Sequence, residues 1–169
     1  AFAIAISPKT GEILGLGQTP AFNPNTQENL SSAWSNIFYN SAYEPGSTLK
    51  TFTMSLMVEN NVYKPEGYYK SGSYKVEDAT IFDWNKTGWG TITQRHGFQQ
   101  SSNTLMLTLL NELGTEKLKS GLESFGFGKS TNSLYGNEAT GDLVFNNKVS
   151  ASTTVFGQGS TVTAMQMVQ

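Results

Sequence analysis

The sequence has no cysteine and a single histidine, His96. A thiol nucleophile needs cysteine, and zinc sites of the common kind combine cysteine with histidine, so both are excluded. One histidine also closes most other routes to covalent catalysis, and we interpret His96 as a structural residue rather than as an acid or base. We expect neither a metal nor a cofactor.

The charges are few and nearly balanced. The chain has 11 lysines and arginines against 13 aspartates and glutamates, which gives a net charge of −2. There is no basic block of the kind that binds nucleic acid or an anionic membrane surface, so we expect neither as a partner. No apolar run approaches the roughly 18 to 20 residues of a membrane span.

The length of 169 residues fits one domain, with 37% hydrophobic residues to form a core. Ala1 already lies in a strand-like run, Gln169 lies in a helix-like run, and no initiator methionine is present. We therefore expect the chain to be a piece of a longer protein. The absence of cysteine is compatible with any compartment, including the outside of a bacterial cell.

Two residues that are present, Ser47 and Lys50, form a Ser-x-x-Lys motif that occurs once in the chain. A Tyr-Glu-Pro-Gly turn precedes the motif and an apolar stretch, 52–58, follows it. Residues three apart lie on one face of a helix, so a neutral Lys50 amine could take the Ser47 proton. This activates serine without histidine. On spacing alone, an N-capping serine and a solvated lysine would be the commoner structure.

The spacing of apolar residues predicts a mixed chain of strands and helices. The predicted elements are a β-hairpin (2–6 and 12–17), a polar surface loop (19–32), a helix (about 47–60), short strands and loops (62–95), helices (102–113 and 116–125), a polar loop (129–152) and a tight turn (156–160) before a last helix.

The predicted helices differ in how they should be buried. In the first, Met54 and Val58 widen the apolar stripe, so we expect burial nearly all round. In the helix predicted for 116–125, we expect Thr115 to be the N-cap and Phe125 to face the core.

A second candidate motif, Ser-x-Asn, is formed by Ser101 and Asn103 directly before a predicted helix. A hydroxyl and a carboxamide two positions apart can face one cleft, one passing protons and the other binding an amide. Helix capping is the alternative. Another copy, at 130–132, lies in a polar loop without apolar residues to anchor it, so we favour the first copy.

Taken together, these motifs resemble the class B penicillin-binding proteins, especially the division transpeptidases of Gram-positive bacteria. Ser-x-x-Lys and a Ser-x-Asn belong to the known signature of penicillin-binding proteins and serine β-lactamases. The similarity extends over essentially the whole chain in the family's order. Its segments are Tyr-Glu-Pro-Gly-Ser-Thr-Leu-Lys (43–50), Asp-Ala-Thr-Ile-Phe-Asp-Trp (78–84), Gln-Ser-Ser-Asn (100–103) and Phe-Gly-Gln-Gly (156–159).

The resemblance implies a D,D-transpeptidase that crosslinks peptidoglycan stem peptides and is acylated by β-lactams. Carried over by position, Ser47 is the nucleophile, Lys50 the base and Ser101 a proton relay. Asn103 would bind a substrate or β-lactam amide and help to hold Lys50. Trp84 would line the cleft, and a core or lid aromatic is its alternative role. The Ser47 N–H, at a helix N-terminus, suits half of an oxyanion hole. Parts of the family have histidine where this chain has Gln100, so Gln100 receives no role.

The third family motif, Lys-[Ser/Thr]-Gly on a strand, does not match in order. Copies beginning at Lys9 and Lys86 precede or interrupt the other motifs, whereas the family places this element last. We expect the true motif beyond Gln169. Residues 1–169 would then be a partial transpeptidase domain, inactive alone, whose missing half could be a second chain.

The fold implied is α/β (α+β), the serine β-lactamase/transpeptidase-like fold, in which an antiparallel sheet packs beside an all-helical lobe. An incomplete domain should show unpaired strand edges. The implied location is the extracytoplasmic face of the cell membrane. Two alternatives stay open: a β-lactamase or β-lactam sensor, for which no deacylating carboxylate is evident, and a non-catalytic fragment.

Overall fold

The structure is a computed structural model that describes residues 1–132 and 136–169, apart from the side chain of Ser32. Residues 133–135, within the loop predicted for 129–152, lie outside the described residues. The chain forms two compact units. The first combines 1–43, the described part of 126–142, and 162–169; the second combines 44–125 and 143–161.

The first unit contains the predicted β-hairpin, which is confirmed. Strand β1 (Phe2–Ile6) pairs antiparallel with β2 (Ile13–Gln18), with a register shift after Ala5. The turn between them contains Gly11, whose φ of 72° suits glycine and whose N–H bonds to the Ser7 carbonyl at 2.8 Å. The Lys-Thr-Gly copy at Lys9 therefore lies in a turn and not on a strand.

The rest of the first unit is built from short elements. They are α1 (Leu30–Ala33), α2 (Ile37–Asn40), β3 (Ala42–Tyr43), β8 (Val162–Thr163) and α8 (Ala164–Val168). β3 pairs antiparallel with β8. A reciprocal capping box between Thr163 and Gln166 starts α8, the helix expected after the tight turn. The predicted surface loop is correct except that α1 begins inside it.

The second unit holds the longer helices. Its elements are a 3₁₀ turn (Gly46–Leu49), α3 (Lys50–Glu59), β4 (Tyr68–Lys70), β5 (Ser73–Val76), β6 (Ala79–Phe82), β7 (Thr91–Thr93), α4 (Gln94–Gln99), α5 (Asn103–Leu113), α6 (Thr115–Ser124) and α7 (Lys148–Thr154). β4 pairs with β7, and β5 with β6, both antiparallel.

Helix α5 is the centre of this unit. It contacts α3, α4 and α6 on the helical side, and β4, β5 and β6 on the strand side. Ser102 caps its first turn by accepting from the Leu105 N–H, and Gly114 ends it at a φ of 87°. Its core face consists of apolar residues three or four apart and neighbours of these, and all five are buried: Leu105, Met106, Leu109, Leu110 and Leu113.

Three local predictions were wrong. Helix α3 is not buried all round, since Val58 is 54% exposed on a polar outer face. Helix α6 is capped by Gly114 without a side-chain bond, and Thr115 is its first residue. Phe125 is 41% exposed, and its ring meets the Phe52 ring edge-on. Helix α7 was missed because its sequence, from Lys148 onward, is almost entirely small and polar.

The fold class is confirmed as a mixture of helices and antiparallel strands. Within the described ranges every ladder has two strands, so the expected unpaired edges are present. No helix in the described part of the chain is both long and apolar enough to cross a bilayer.

A pair of truncations tests the helical core. Leu122 on α6 is fully buried, so Leu122→Ala should lower the free energy of unfolding by about 3 kcal/mol through the cavity it leaves. Val58→Ala, at the exposed position on α3, should change it by less than about 0.5 kcal/mol. Denaturant unfolding followed by circular dichroism measures both. Equal losses would contradict the described packing.

Candidate active site

The Ser47 hydroxyl is exposed on the 3₁₀ turn that leads into α3. Pro45 is buried, and Gly46 takes a φ of 57° that favours glycine, so the chain turns sharply just before Ser47. Thr48 closes the turn by donating its hydroxyl to the Pro45 carbonyl at 2.6 Å. The prediction of a turn before a helix is confirmed, with the refinement that its first turn is 3₁₀.

The Phe-Gly-Gln-Gly segment packs directly against this turn. The Gly46 N–H bonds to the Gly157 carbonyl at 2.9 Å, and the Gly159 N–H donates to Glu44 Oε1 at 3.2 Å. A Cβ at Gly157 would lie 2.0 Å from the Gly46 carbonyl oxygen, so no side chain fits there. Two segments more than 100 positions apart therefore fix the backbone next to Ser47.

Lys50 is buried, with 3% of its surface exposed, and its amine has three acceptors. Nζ donates to the Ser101 carbonyl at 2.6 Å, to Ser101 Oγ at 3.1 Å and to Asn103 Oδ1 at 2.8 Å. The positive φ of Ser101, 54°, turns both of its oxygens toward the amine. The structure thus brings together three of the residues selected from the sequence.

The direct Lys50–Ser47 contact suggested by the spacing is not formed. The Ser47 hydroxyl has no hydrogen-bond partner among residues 1–132 and 136–169, whereas all three donors of a protonated Lys50 are used by the Ser-x-Asn motif. Catalytic hydrogen bonds often form only once substrate is bound.

The pKa of Lys50 is lowered from 10.5 to about 8 because burial penalises the charged amine, while the negative charge of Asp83 partly offsets this. The Phe156 ring, 6.0 Å from Nζ, also favours the cation. At pH 7 an amine with a pKa of about 8 is neutral in roughly one molecule in ten, against roughly one in 3,000 at 10.5. Lys50 can therefore exist as a base near neutral pH.

Asn103 links Lys50 to strand β6. Its Nδ2 donates to the Phe82 carbonyl at 3.1 Å, which leaves Oδ1 directed at the lysine amine. The sequence-based expectation that Asn103 contacts Lys50 is met by this geometry. The second Nδ2 hydrogen remains available to an acceptor such as an amide carbonyl.

Trp84 lies at the surface and is 67% exposed. Its indole N–H donates to the Gln100 carbonyl at 2.9 Å, directly before the Ser-x-Asn motif, and its ring meets Trp89 edge-on at 5.9 Å. The donor is therefore occupied and the indole surface is open. The core alternative raised from the sequence is wrong.

Asp83, which sequence reasoning did not select, is 1% exposed. Its carboxylate accepts four hydrogen bonds, from the Gly72 N–H, the Ser102 hydroxyl, and the N–H and hydroxyl of Thr104. Burial by itself would raise the pKa of Asp83, but these bonds outweigh it and the pKa is lowered. The signal in the sequence was an isolated acid between apolar residues at a strand end.

The other residues considered from the sequence, Lys86 and His96, are not part of the candidate site. Lys86, at a φ of 65°, starts the second Lys-Thr-Gly copy in a turn held by Asn85 and not on a strand. His96 lies on α4 and its ring pairs with the Gln100 side chain at 3.3 Å. In the described part of the chain, no three His, Cys, Asp or Glu residues cluster as metal ligands would.

Comparisons with known proteins show the family to which the chain belongs. Residues 1–169 match the penicillin binding protein transpeptidase domain. The chain belongs to this family. It is 36% identical over 173 residues to stage V sporulation protein D of Bacillus subtilis, covering 98% of this chain and 27% of that protein. It is 32% identical to the peptidoglycan D,D-transpeptidase MrdA of Acinetobacter baumannii, covering 76% of this chain and 21% of that protein.

A solved structure of low identity supports the same fold. The crystal structure of Pseudomonas aeruginosa PBP2 in complex with WCK 5153 matches 97% of this chain and 44% of that chain, with a TM-score of 0.85 and 22% identity. The chain spans only about a quarter of the length of the curated relatives, 27% and 21% for the two above.

The close approach at Gly157 gives a test of the Ser47 turn. Gly157→Ala should destabilise the protein by about 2 to 4 kcal/mol, because the new methyl group meets the Gly46 carbonyl. Gly90→Ala is the control, since Gly90 has a similar positive φ of 73° but open space around its Cβ position, and should cost about 1 kcal/mol. Thermal unfolding compares them. Equal shifts would mean that backbone strain alone is responsible.

Proposed function

We propose that this chain is the N-terminal half of a serine D,D-transpeptidase domain that crosslinks peptidoglycan stem peptides through an acyl-enzyme on Ser47. The observation that carries the proposal is the buried Lys50 amine, held by Ser101 and Asn103 beside an exposed serine. Family membership supports the same reaction, and the relatives named above include a peptidoglycan D,D-transpeptidase.

In the proposed reaction, Ser47 Oγ attacks the carbonyl carbon of the penultimate D-Ala. Neutral Lys50 exchanges one of its contacts for Ser47 and takes the hydroxyl proton. The tetrahedral intermediate then expels the terminal D-Ala, whose amine receives a proton from Ser101 while Lys50 returns one to Ser101. The amine of a neighbouring stem peptide attacks the resulting ester and loses a proton to neutral Lys50. Lys50 passes this proton to Ser47 Oγ as the ester bond breaks, which completes the crosslink and releases Ser47.

The oxyanion requires two N–H donors, and this chain supplies one in the proposal. The Ser47 N–H lies at the start of a helix, where the partial positive charge favours an anion. We place the other on a Lys-[Ser/Thr]-Gly strand that follows Gln169 in the complete domain. Residues 1–169 alone would then be inactive, and their unpaired strand edges would be covered by that half, as the same chain or a second one.

The substrate class follows from the same proposal. Asn103 offers its free Nδ2 hydrogen to a substrate or β-lactam amide, and the open surface of Trp84 borders the site. β-Lactams would acylate Ser47 because they mimic the D-Ala-D-Ala end. We place the domain outside the cell membrane, where stem peptides are found, and within the division transpeptidases of Gram-positive bacteria, in keeping with the Bacillus subtilis relative.

The nucleophile is tested by covalent labelling. In the full-length protein that carries this chain, Ser47→Ala should abolish covalent attachment of fluorescent penicillin, because the hydroxyl that forms the ester is gone. Ser55→Ala, an exposed serine on the outer face of α3, should label like the wild type. Gel fluorescence and peptide mass spectrometry give the readout. Label retained in Ser47→Ala, or attached to another residue, would refute the assignment.

The base is tested by pH. The pKa of Lys50 is about 8, so the acylation rate constant should fall about tenfold per pH unit below that value as the amine becomes protonated. Lys50→Arg should lose acylation at every pH, since a guanidinium does not deprotonate. Stopped-flow fluorescence with penicillin from pH 5 to 9 measures the profile. A flat profile, or a fully active Lys50→Arg, would contradict the role of Lys50.

A further inference from the structure

We propose that Asp83, which belongs to neither catalytic motif, is a positioning residue with two effects. It holds the Ser-x-Asn motif in place, and its negative charge stabilises the protonated Lys50 amine. The inference rests on the proposed function, because it assigns a role within the same site. Asp83 reaches no reacting atom and would act through its neighbours.

The Asp83 carboxylate connects separate parts of the second unit by hydrogen bonds. Asp83 follows β6 directly and joins three parts of the second unit through its carboxylate. Oδ2 accepts from the Gly72 N–H, between β4 and β5, and from the Thr104 hydroxyl, both at 2.8 Å. Oδ1 accepts from the Ser102 hydroxyl at 2.8 Å and the Thr104 N–H at 3.0 Å. One buried carboxylate thus ties the start of α5 to the strands.

The anchored residues flank the catalytic ones. Ser102 lies between Ser101 and Asn103, and Thr104 follows directly. Ser101 takes a positive φ of 54° while Ser102 is extended, at φ −63° and ψ 127°, so the chain reverses before the helix begins. Bonds to Asp83 on both sides of Asn103 hold this reversal, which directs Ser101 and Asn103 toward the Lys50 amine.

The position also requires a carboxylate. Each oxygen receives one backbone N–H, from Gly72 on one side and Thr104 on the other. An asparagine would turn an NH₂ group toward one of these N–H groups in either orientation, and a backbone donor cannot reverse to accept. A neutral amide of the same shape therefore cannot replace Asp83 without losing a hydrogen bond.

The negative charge of Asp83 also acts on the Lys50 amine. Within the described ranges, the negative charge of Asp83 raises the pKa of Lys50 against the effect of burial. The other groups against the amine are neutral: Ser101 and Asn103 beside α5, and the Phe156 ring. Tyr69, whose phenol is buried nearby, has a pKa raised by burial and stays uncharged at neutral pH.

The test compares Asp83→Asn with Asp78→Asn in the full-length protein. Asp78 undergoes the same chemical change at an exposed position between β5 and β6. Two readouts are needed: the rate constant for acylation by fluorescent penicillin from pH 5 to 9, and the titration midpoint of the Lys50 amine, observed by NMR of ¹³C-labelled lysine. The second does not depend on acylation.

We expect Asp83→Asn to acylate about tenfold or more slowly than wild type at its optimal pH, because the Ser-x-Asn motif is displaced. Its Lys50 midpoint and the acid limb of its rate profile should move to lower pH, since removing the negative charge favours the neutral amine. Asp78→Asn should match the wild type in both. An unchanged rate, or a slower rate with an unmoved midpoint, would overturn the inference.

Failure of the proposed function gives a different result. The wild type would then not be labelled at Ser47, but the Lys50 titration midpoint would still differ between the wild type and Asp83→Asn. If Asp83→Asn does not fold, Thr104→Val keeps the shape and removes the hydroxyl that bonds to Oδ2 at 2.8 Å and to the Ser102 hydroxyl at 3.1 Å. It should acylate about threefold or more slowly, with its Lys50 midpoint still near that of the wild type because the carboxylate remains. A wild-type rate in Thr104→Val would overturn the positioning role.

Discussion

The candidate site depends on one constraint, the burial of the Lys50 side chain, which is 3% exposed, with three oxygen acceptors around its amine. Burial without acceptors would be too costly for an ammonium group, and acceptors without burial would leave its pKa near 10.5. The combination lets the amine gain and lose a proton near neutral pH. The proposed activation of Ser47 depends on this exchange, in a chain with one histidine and no cysteine.

Contacts between elements that are distant in sequence hold the groups around the Lys50 amine. Helix α3 carries Lys50, α5 presents the Ser-x-Asn motif, and β6 provides the Phe82 carbonyl that orients Asn103. The turn at Gly157 holds the backbone before Ser47 from another direction. The candidate catalytic groups are therefore held together by contacts between segments that are distant in sequence.

Much of this was predictable from local signals. Helix α5 was recognised from its apolar spacing, and the hairpin from its alternating residues and turn. Ser47, Lys50, Ser101 and Asn103 were selected because their spacings carry a chemical meaning. These features are encoded within a few residues of each other, so pattern and propensity suffice.

What sequence reasoning missed depends on tertiary contacts. Nothing local reveals that Asp83 would be buried with four donors, or that the Lys50 amine would turn to Ser101 and not to Ser47. Helix α7 has no apolar stripe of its own, and the outer face of α3 stays exposed although Val58 is apolar. These features depend on which elements pack against each other in the fold. The spacing of apolar residues within a single helix or strand does not show this.

The most direct test of this account is the protonation of Lys50 in the wild-type protein. Titration of ¹³C-labelled lysine by NMR, with Lys50→Arg to assign the signal, gives the midpoint of this amine. The account predicts a Lys50 midpoint near pH 8. A Lys50 midpoint near 10.5 would show an ordinary ammonium group, and the proposed activation of Ser47 would then be wrong.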